Sequence, residues 1–161
     1  MIKFQRAFEK LSADEYRKLL DAPVWLALLA AFSNDGRISP AEERGAIRLT
    51  HLRSFSAPKS IRPLYEAINE RFPKRFRKLR DRLPTGRQNK LIYLKAQVKD
   101  ALTVLDKLDP DVAESLQENF ESFYRHIFNT DKGFFHYFAL PVFSSHVEKK
   151  YVNKKKPETA A

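Results

Sequence analysis

The sequence predicts an all-α fold, and three observations carry that expectation. Glycine is scarce, with 4 in 161 residues, and no run alternates apolar with polar side chains as a half-buried strand would. Apolar residues recur instead at intervals of three and four, as in Leu91, Leu94, Val98, Ala101, Leu102 and Leu105. Ser-x-x-Glu and Asp-Pro signals stand where such runs begin, which is where a helix start needs a side-chain acceptor for its free N–H groups.

The elements follow in order. Phe4, Phe8 and Leu11 keep helical spacing and suggest a short opening helix. A helix is then expected from Ser12, whose capping box is Ser12-Ala13-Asp14-Glu15, to near Asp21. Pro23 suits the first position of a new helix. That helix, to about Ser33, is apolar on every side through Val24, Trp25, Leu26, Leu28, Leu29 and Phe32, so it belongs in the core. Gly36 fits a left-handed stop. The next helix opens on Ser39-Pro40-Ala41-Glu42 and runs to about Phe55, with Ile47 and Leu52 expected inward and Arg44, Arg48 and Arg53 outward.

Ala57-Pro58-Lys59 breaks the chain, and a helix from Ser60 to Phe72 should pack Ile61, Leu64, Tyr65 and Ile68. Pro73 is expected to restart it as a short basic helix, Arg75 to Leu83, stopped by Pro84. Thr85-Gly86-Arg87-Gln88 reads as a capping box for a long helix through about Lys107. Asp109-Pro110 reads as N-cap and first position of another helix, with Val112, Leu116, Phe120, Phe123, Tyr124, Ile127 and Phe128 inward. A second acidic turn, Asn129 to Gly133, precedes the aromatic stretch Phe134-Phe135-His136-Tyr137-Phe138, expected as buried packing. Residues 1–148 are expected to form one domain, long enough to bury a real core. Residues 149–161 are expected as a basic disordered tail.

Several function classes are disfavoured. With no cysteine there is no disulfide, thiolate metal site or cysteine nucleophile. No Gly-rich phosphate loop, His-Glu-x-x-His or Gly-x-Ser-x-Gly occurs. His51, His126, His136 and His146 lie far apart in sequence. The chain reads as a non-enzyme. No signal peptide is visible, and the longest apolar run is shorter than the roughly 20 residues of a membrane span. A cytoplasmic location and no membrane span are expected.

The formal charge of +10 is concentrated. Residues 71–99 hold 11 Lys and Arg against one acidic residue, Asp81, whereas residues 100–147 hold 3 basic and 8 acidic side chains. Arg71, Lys74, Arg75, Lys78, Arg82, Arg87 and Lys90 are candidates for one basic face that binds nucleic acid or another anionic surface through phosphate contacts. The plainer reading is a solvated helix offset by the acidic segment that follows. Phe72 and Phe76 alone interleave aromatic rings among these charges.

The turn Asn34-Asp35-Gly36-Arg37-Ile38-Ser39 is the other candidate site. Gly36 and Glu42 have the separation of the sixth and twelfth positions of a calcium loop. Ala31 and Ser33 stand where that loop places carboxylates, so a full cage of that type is not expected. Asp131-x-Gly133 and Ser145-x-x-Glu148 repeat the pattern Asp35-Gly36 and Ser39-x-x-Glu42. Two such turns brought together would pool Asp35, Glu42, Asp131 and Glu148 around one hard cation, calcium or magnesium. The plainer reading is that both glutamates cap helices.

The segment Leu28-Leu29-Ala30-Ala31-Phe32-Ser33-Asn34-Asp35-Gly36-Arg37-Ile38-Ser39-Pro40-Ala41-Glu42-Glu43 resembles the tellurite-resistance TerB-like helical domain. That family's hallmark is an Ala-rich apolar helix, then Asp-Gly-x-Ile-Ser, then a Glu in the next first turn. Asp131-Lys132-Gly133-Phe134-Phe135 with Ser145-x-x-Glu148 is similar to its looser second copy. The resemblance spans about residues 20–150. It implies seven or eight helices in two pseudo-symmetric halves, a divalent metal at Asp35, Glu42, Asp131 and Glu148, and a sensor or adaptor role toward a protein partner.

Overall fold

The computed structural model of the chain describes residues 6–128. The expected second acidic turn with Asp131 and Glu148, the aromatic stretch Phe134 to Phe138, His136, His146 and the tail from residue 149 lie outside the described residues. Among the described residues there are no strands. There are five α-helices of full length and one 3-10 segment, and residues 6–8 are also helical. The helices are α1 (Ala13–Asp35), α2 (Pro40–Ser56), α3 (Arg62–Asp81), α4 (Arg87–Thr103) and α5 (Pro110–Phe128), with the 3-10 turn Val104–Lys107 between the last two.

The central element is α1. Its 23 residues make a rod about 34 Å long, and α3, α4 and α5 all pack on it, while α2 packs chiefly on α3. Every residue from Leu19 to Ser33 is buried, as the all-round apolar sequence requires. α1 starts as expected, with the Ser12 hydroxyl accepting from the Glu15 N–H and the Glu15 carboxylate from the Ser12 N–H, at 3.1 and 2.8 Å. It stops at Gly36, whose φ of 69° is left-handed and whose N–H donates to the Phe32 carbonyl.

Two expected helix breaks are absent. Pro23 lies inside α1 and Pro73 inside α3. Each proline withholds one ladder hydrogen bond and costs about 3 kcal/mol. Burial on both flanks outweighs that cost: Leu19, Leu20, Ala22, Val24 and Leu26 around the first proline, and Phe72, Phe76 and Leu79 around the second, are all buried. One expected helix also divides. The stretch from Arg87 leaves α-geometry at Val104, forms the 3-10 turn and ends in extended Leu108.

The inward face of α2 differs from expectation. Ala46, Thr50 and Ser54 are buried, while Leu52 and Phe55 stand 55% and 57% exposed. These three residues, four apart, form the inward stripe, and Leu52, two positions from both Thr50 and Ser54, falls on the opposite side of the helix. Thr50 and Ser54 satisfy their hydroxyls locally by donating to the Ala46 and His51 carbonyls. Arg53, expected outward, is half-buried and donates to Asn119 Oδ1 and Ser122 Oγ, both at 2.8 Å, which ties α2 to α5.

Candidate functional site

α3 carries the first part of the basic segment, and its two edges have different fates. On the edge toward α2, Arg77 and Arg80 pair with Glu43 at 3.0 and 3.4 Å. On the edge toward α1, Arg75 forms a two-pronged pair with Asp21, Nε to Oδ1 at 2.9 Å and Nη2 to Oδ2 at 2.5 Å. Asp21 is buried. Its carboxylate holds the Arg75 guanidinium ionised more firmly than in water, against the opposing effect of burial.

Two more of the expected surface cations have structural work. The last turn of α1 contains no basic residue, so nothing in that helix complements its negative end. Arg87, at the start of α4, supplies the charge from outside: Nη2 donates to the Ser33 carbonyl at 3.1 Å. The same side chain lies 3.4 Å from where a Cβ on Gly36 would stand. The Lys90 ammonium sits 5.2 Å from the centre of the Phe32 ring. The Thr85 capping box does not form. Gly86 is the N-cap, at φ 93°, with no side-chain bond, and the Thr85 carbonyl accepts from Asn89 instead.

Arg71, Lys74, Lys78 and Arg82 remain, all exposed. Their spacings of three, four and four keep them on one face of α3 and its C-cap. None of the four pairs with a carboxylate among the described residues, whereas Arg75, Arg77 and Arg80 on the same helix all do. The row spans about 16 Å, at 1.5 Å per residue. At its start, Arg71 faces α1 across a cavity of about 130 Å³ that Arg17 also lines. The Arg71 charge reaches Tyr16 too, where it opposes the rise in the phenol's pKa caused by partial burial.

The acidic turn takes its own form. Asn34 and Asp35 belong to the last turn of α1. The Glu42 carboxylate accepts from the Ser39 N–H at 3.4 Å while the Ser39 hydroxyl accepts from the Glu42 N–H at 3.1 Å. Glu42 therefore closes a capping box at the head of α2, as the plainer reading expected. Among the described residues no three His, Asp or Glu side chains cluster to hold a metal ion, and no helix is long and apolar enough to cross a membrane.

Sequence reasoning missed three members of this region: Arg17 and Asp21 beside the basic row, and Glu43 on its far edge. A signal for Asp21 exists, since it is the one charged residue between Leu19 and Asn34 and a charge inside a buried helix requires a partner. Comparison with protein-family models, curated proteins and solved structures finds no match to this chain.

Proposed function

We propose that this chain is a non-enzymatic helical binding domain whose ligand is the phosphate backbone of a nucleic acid. The observation that carries the reading is the exposed row Arg71, Lys74, Lys78 and Arg82, without carboxylate partners among the described residues, on a helix whose Arg75, Arg77 and Arg80 are paired. Cations held in a row with no internal counter-charge are the footprint of sequence-independent phosphate binding. The formal charge of +10 adds long-range attraction for a polyanion.

The test is fluorescence anisotropy with labelled single- and double-stranded oligonucleotides over a salt series. About four phosphate contacts predict a slope of log K against log salt of roughly −3 to −4. Reversing Lys74, Lys78 and Arg82 together to Glu should abolish binding. Arg75 is left intact because Asp21 depends on it. Absence of binding by the wild-type protein at low salt would sink the reading, and so would binding that survives the reversal. Binding to anionic vesicles but to neither oligonucleotide would move the surface to a membrane.

A second reading keeps the TerB-like resemblance, with a sensor or adaptor role and a divalent ion at Asp35 and Glu42. It draws support from the sequence alone, in which Asp35-Gly36-Arg37-Ile38-Ser39 is followed by Glu42 in the first turn of the next helix. Calorimetry with calcium, magnesium, manganese and zinc decides it: no heat from any of the four removes the metal.

A further inference from the structure

The cavity between α1 and α3 has a composition that a phosphate does not explain. Its floor is apolar, from Leu20, Val24, Ile68 and Phe72. Its wall is the Asp21–Arg75 pair, and Arg17 and Arg71 stand at its rim. The three guanidiniums would attract a phosphate, but the apolar floor offers it no hydrogen bond, and Asp21 already offsets the Arg75 charge. The same carboxylate, with lone pairs beyond those Arg75 engages, accepts from a neutral N–H donor. The volume is about 130 Å³, close to the roughly 150 Å³ apolar cavity that takes one benzene ring. Guanidinium planes stack on flat rings, which lysine ammoniums do not. Both rim cations are arginines, whereas Lys74 and Lys78 occupy the middle of the phosphate row.

We infer that this cavity receives one unpaired base of a single-stranded nucleic acid, with the adjoining phosphates lying along Lys74, Lys78 and Arg82. The inference rests on the phosphate-binding reading and narrows it from nucleic acid in general to single strands. A base in a duplex is stacked and paired on both sides and does not reach the floor. An unpaired base enters edge first, meets Phe72 and Ile68 below, and offers its imide or amino N–H to Asp21. Arg17 and Arg71 then close over its faces. The one-ring volume favours a pyrimidine, so the probe is oligothymidylate.

The experiment compares three ligands at one salt concentration: a 12-residue oligothymidylate, an abasic strand of equal length with the same phosphates, and a 12-base-pair duplex. The thymidylate strand should bind at least fivefold tighter than the abasic strand, and tighter than the duplex per strand charge. Arg17→Ala, which lies off the phosphate row, should reduce that preference toward onefold while binding to the abasic strand stays within about twofold. An unchanged melting temperature certifies that the variant is folded. Leu20→Phe, which fills the floor, should remove the preference in the same way. Equal affinity for the thymidylate and abasic strands overturns the base pocket and leaves phosphate binding standing. A preference that persists in both variants overturns it too. Failure of all three ligands to bind removes the phosphate reading itself.

Discussion

Tyr65 and Arg75 are the residues where burial acts most directly. The Tyr65 phenol is fully buried, and no described residue hydrogen-bonds its oxygen. Burial pushes its ionisation far above the usual phenol range, with the Arg53 charge a smaller opposing influence. A folded-state value above the unfolded one means that the stabilising proton is fully held below about pH 10 and is lost as pH rises beyond it. Tyr65→Phe is therefore expected to leave stability at pH 7 unchanged or about 1 kcal/mol higher, because the removed hydroxyl satisfies no bond. It should also flatten the loss above pH 10. Urea midpoints at the two pH values check both parts, and a cost above about 1 kcal/mol at pH 7 would show that the hydroxyl makes a bond. Arg75 is the converse case. Arg75→Met strands the Asp21 carboxylate, whose side chain is 10% exposed, and should cost about 3 kcal/mol. Asp21→Asn should cost less, since the 25% exposed guanidinium can turn to water. The reverse order would show that the pair does not govern this site.

At the scale of the element, α1 and α3 each contain a proline that ends a helix in sequence-only reasoning. Both continue because a helix in a protein draws most of its stability from packing its faces rather than from propensity. Pro73 is half-buried at mid-helix, so Pro73→Ala restores a ladder bond without opening a large cavity. Stability should rise by about 1–2 kcal/mol, the restored helix term less the entropy that proline removes from the unfolded chain. A fall would mean that α3 needs its proline. Leu28, fully buried at the centre of α1, should cost about 2–5 kcal/mol as Leu28→Ala. A loss below half a kcal/mol would take α1 out of the core.

Across the whole molecule, ion pairs fasten the start of α1 to the far end of the chain's middle. Glu15 bonds Lys107, and Lys18 reaches Asp100 at 3.2 Å. The Lys107 ammonium, followed by the Ser12 N–H, holds the Glu15 carboxyl below its ordinary range. A depressed folded value contributes stability that is present above the unfolded pKa and lost as pH falls through the folded one. Stability should therefore decline below about pH 4, and Glu15→Gln should make that acid limb shallower. The Lys107 side chain is exposed, so salt should shrink the difference. An acid limb identical in the two proteins would show that the pair is idle.

The sequence by itself determined the helical class, the burial of the stretch from Val24 to Phe32, the helix starts at Ser12 and Ser39, the Gly36 stop and the place of the basic excess. Each is a local property: periodicity, a capping side chain or a count of charges acts within one or two turns. Tertiary structure alone decided that Pro23 and Pro73 stay inside helices, because the burial that outweighs them comes from elements distant in sequence. It also decided that Leu52 faces solvent and Arg53 does not, because packing turned the Ala46-Thr50-Ser54 face of α2 inward and put Asn119 and Ser122 of α5 beside Arg53. The basic face divided for the same reason. Asp21, Glu43, the Ser33 carbonyl and the Phe32 ring engage Arg75, Arg77, Arg80, Arg87 and Lys90 across 34 to 58 positions of chain. No pattern in the basic segment separates those five from Arg71, Lys74, Lys78 and Arg82. Which cations remain available for a ligand is a property of the carboxylates, carbonyls and rings that folding brings beside them.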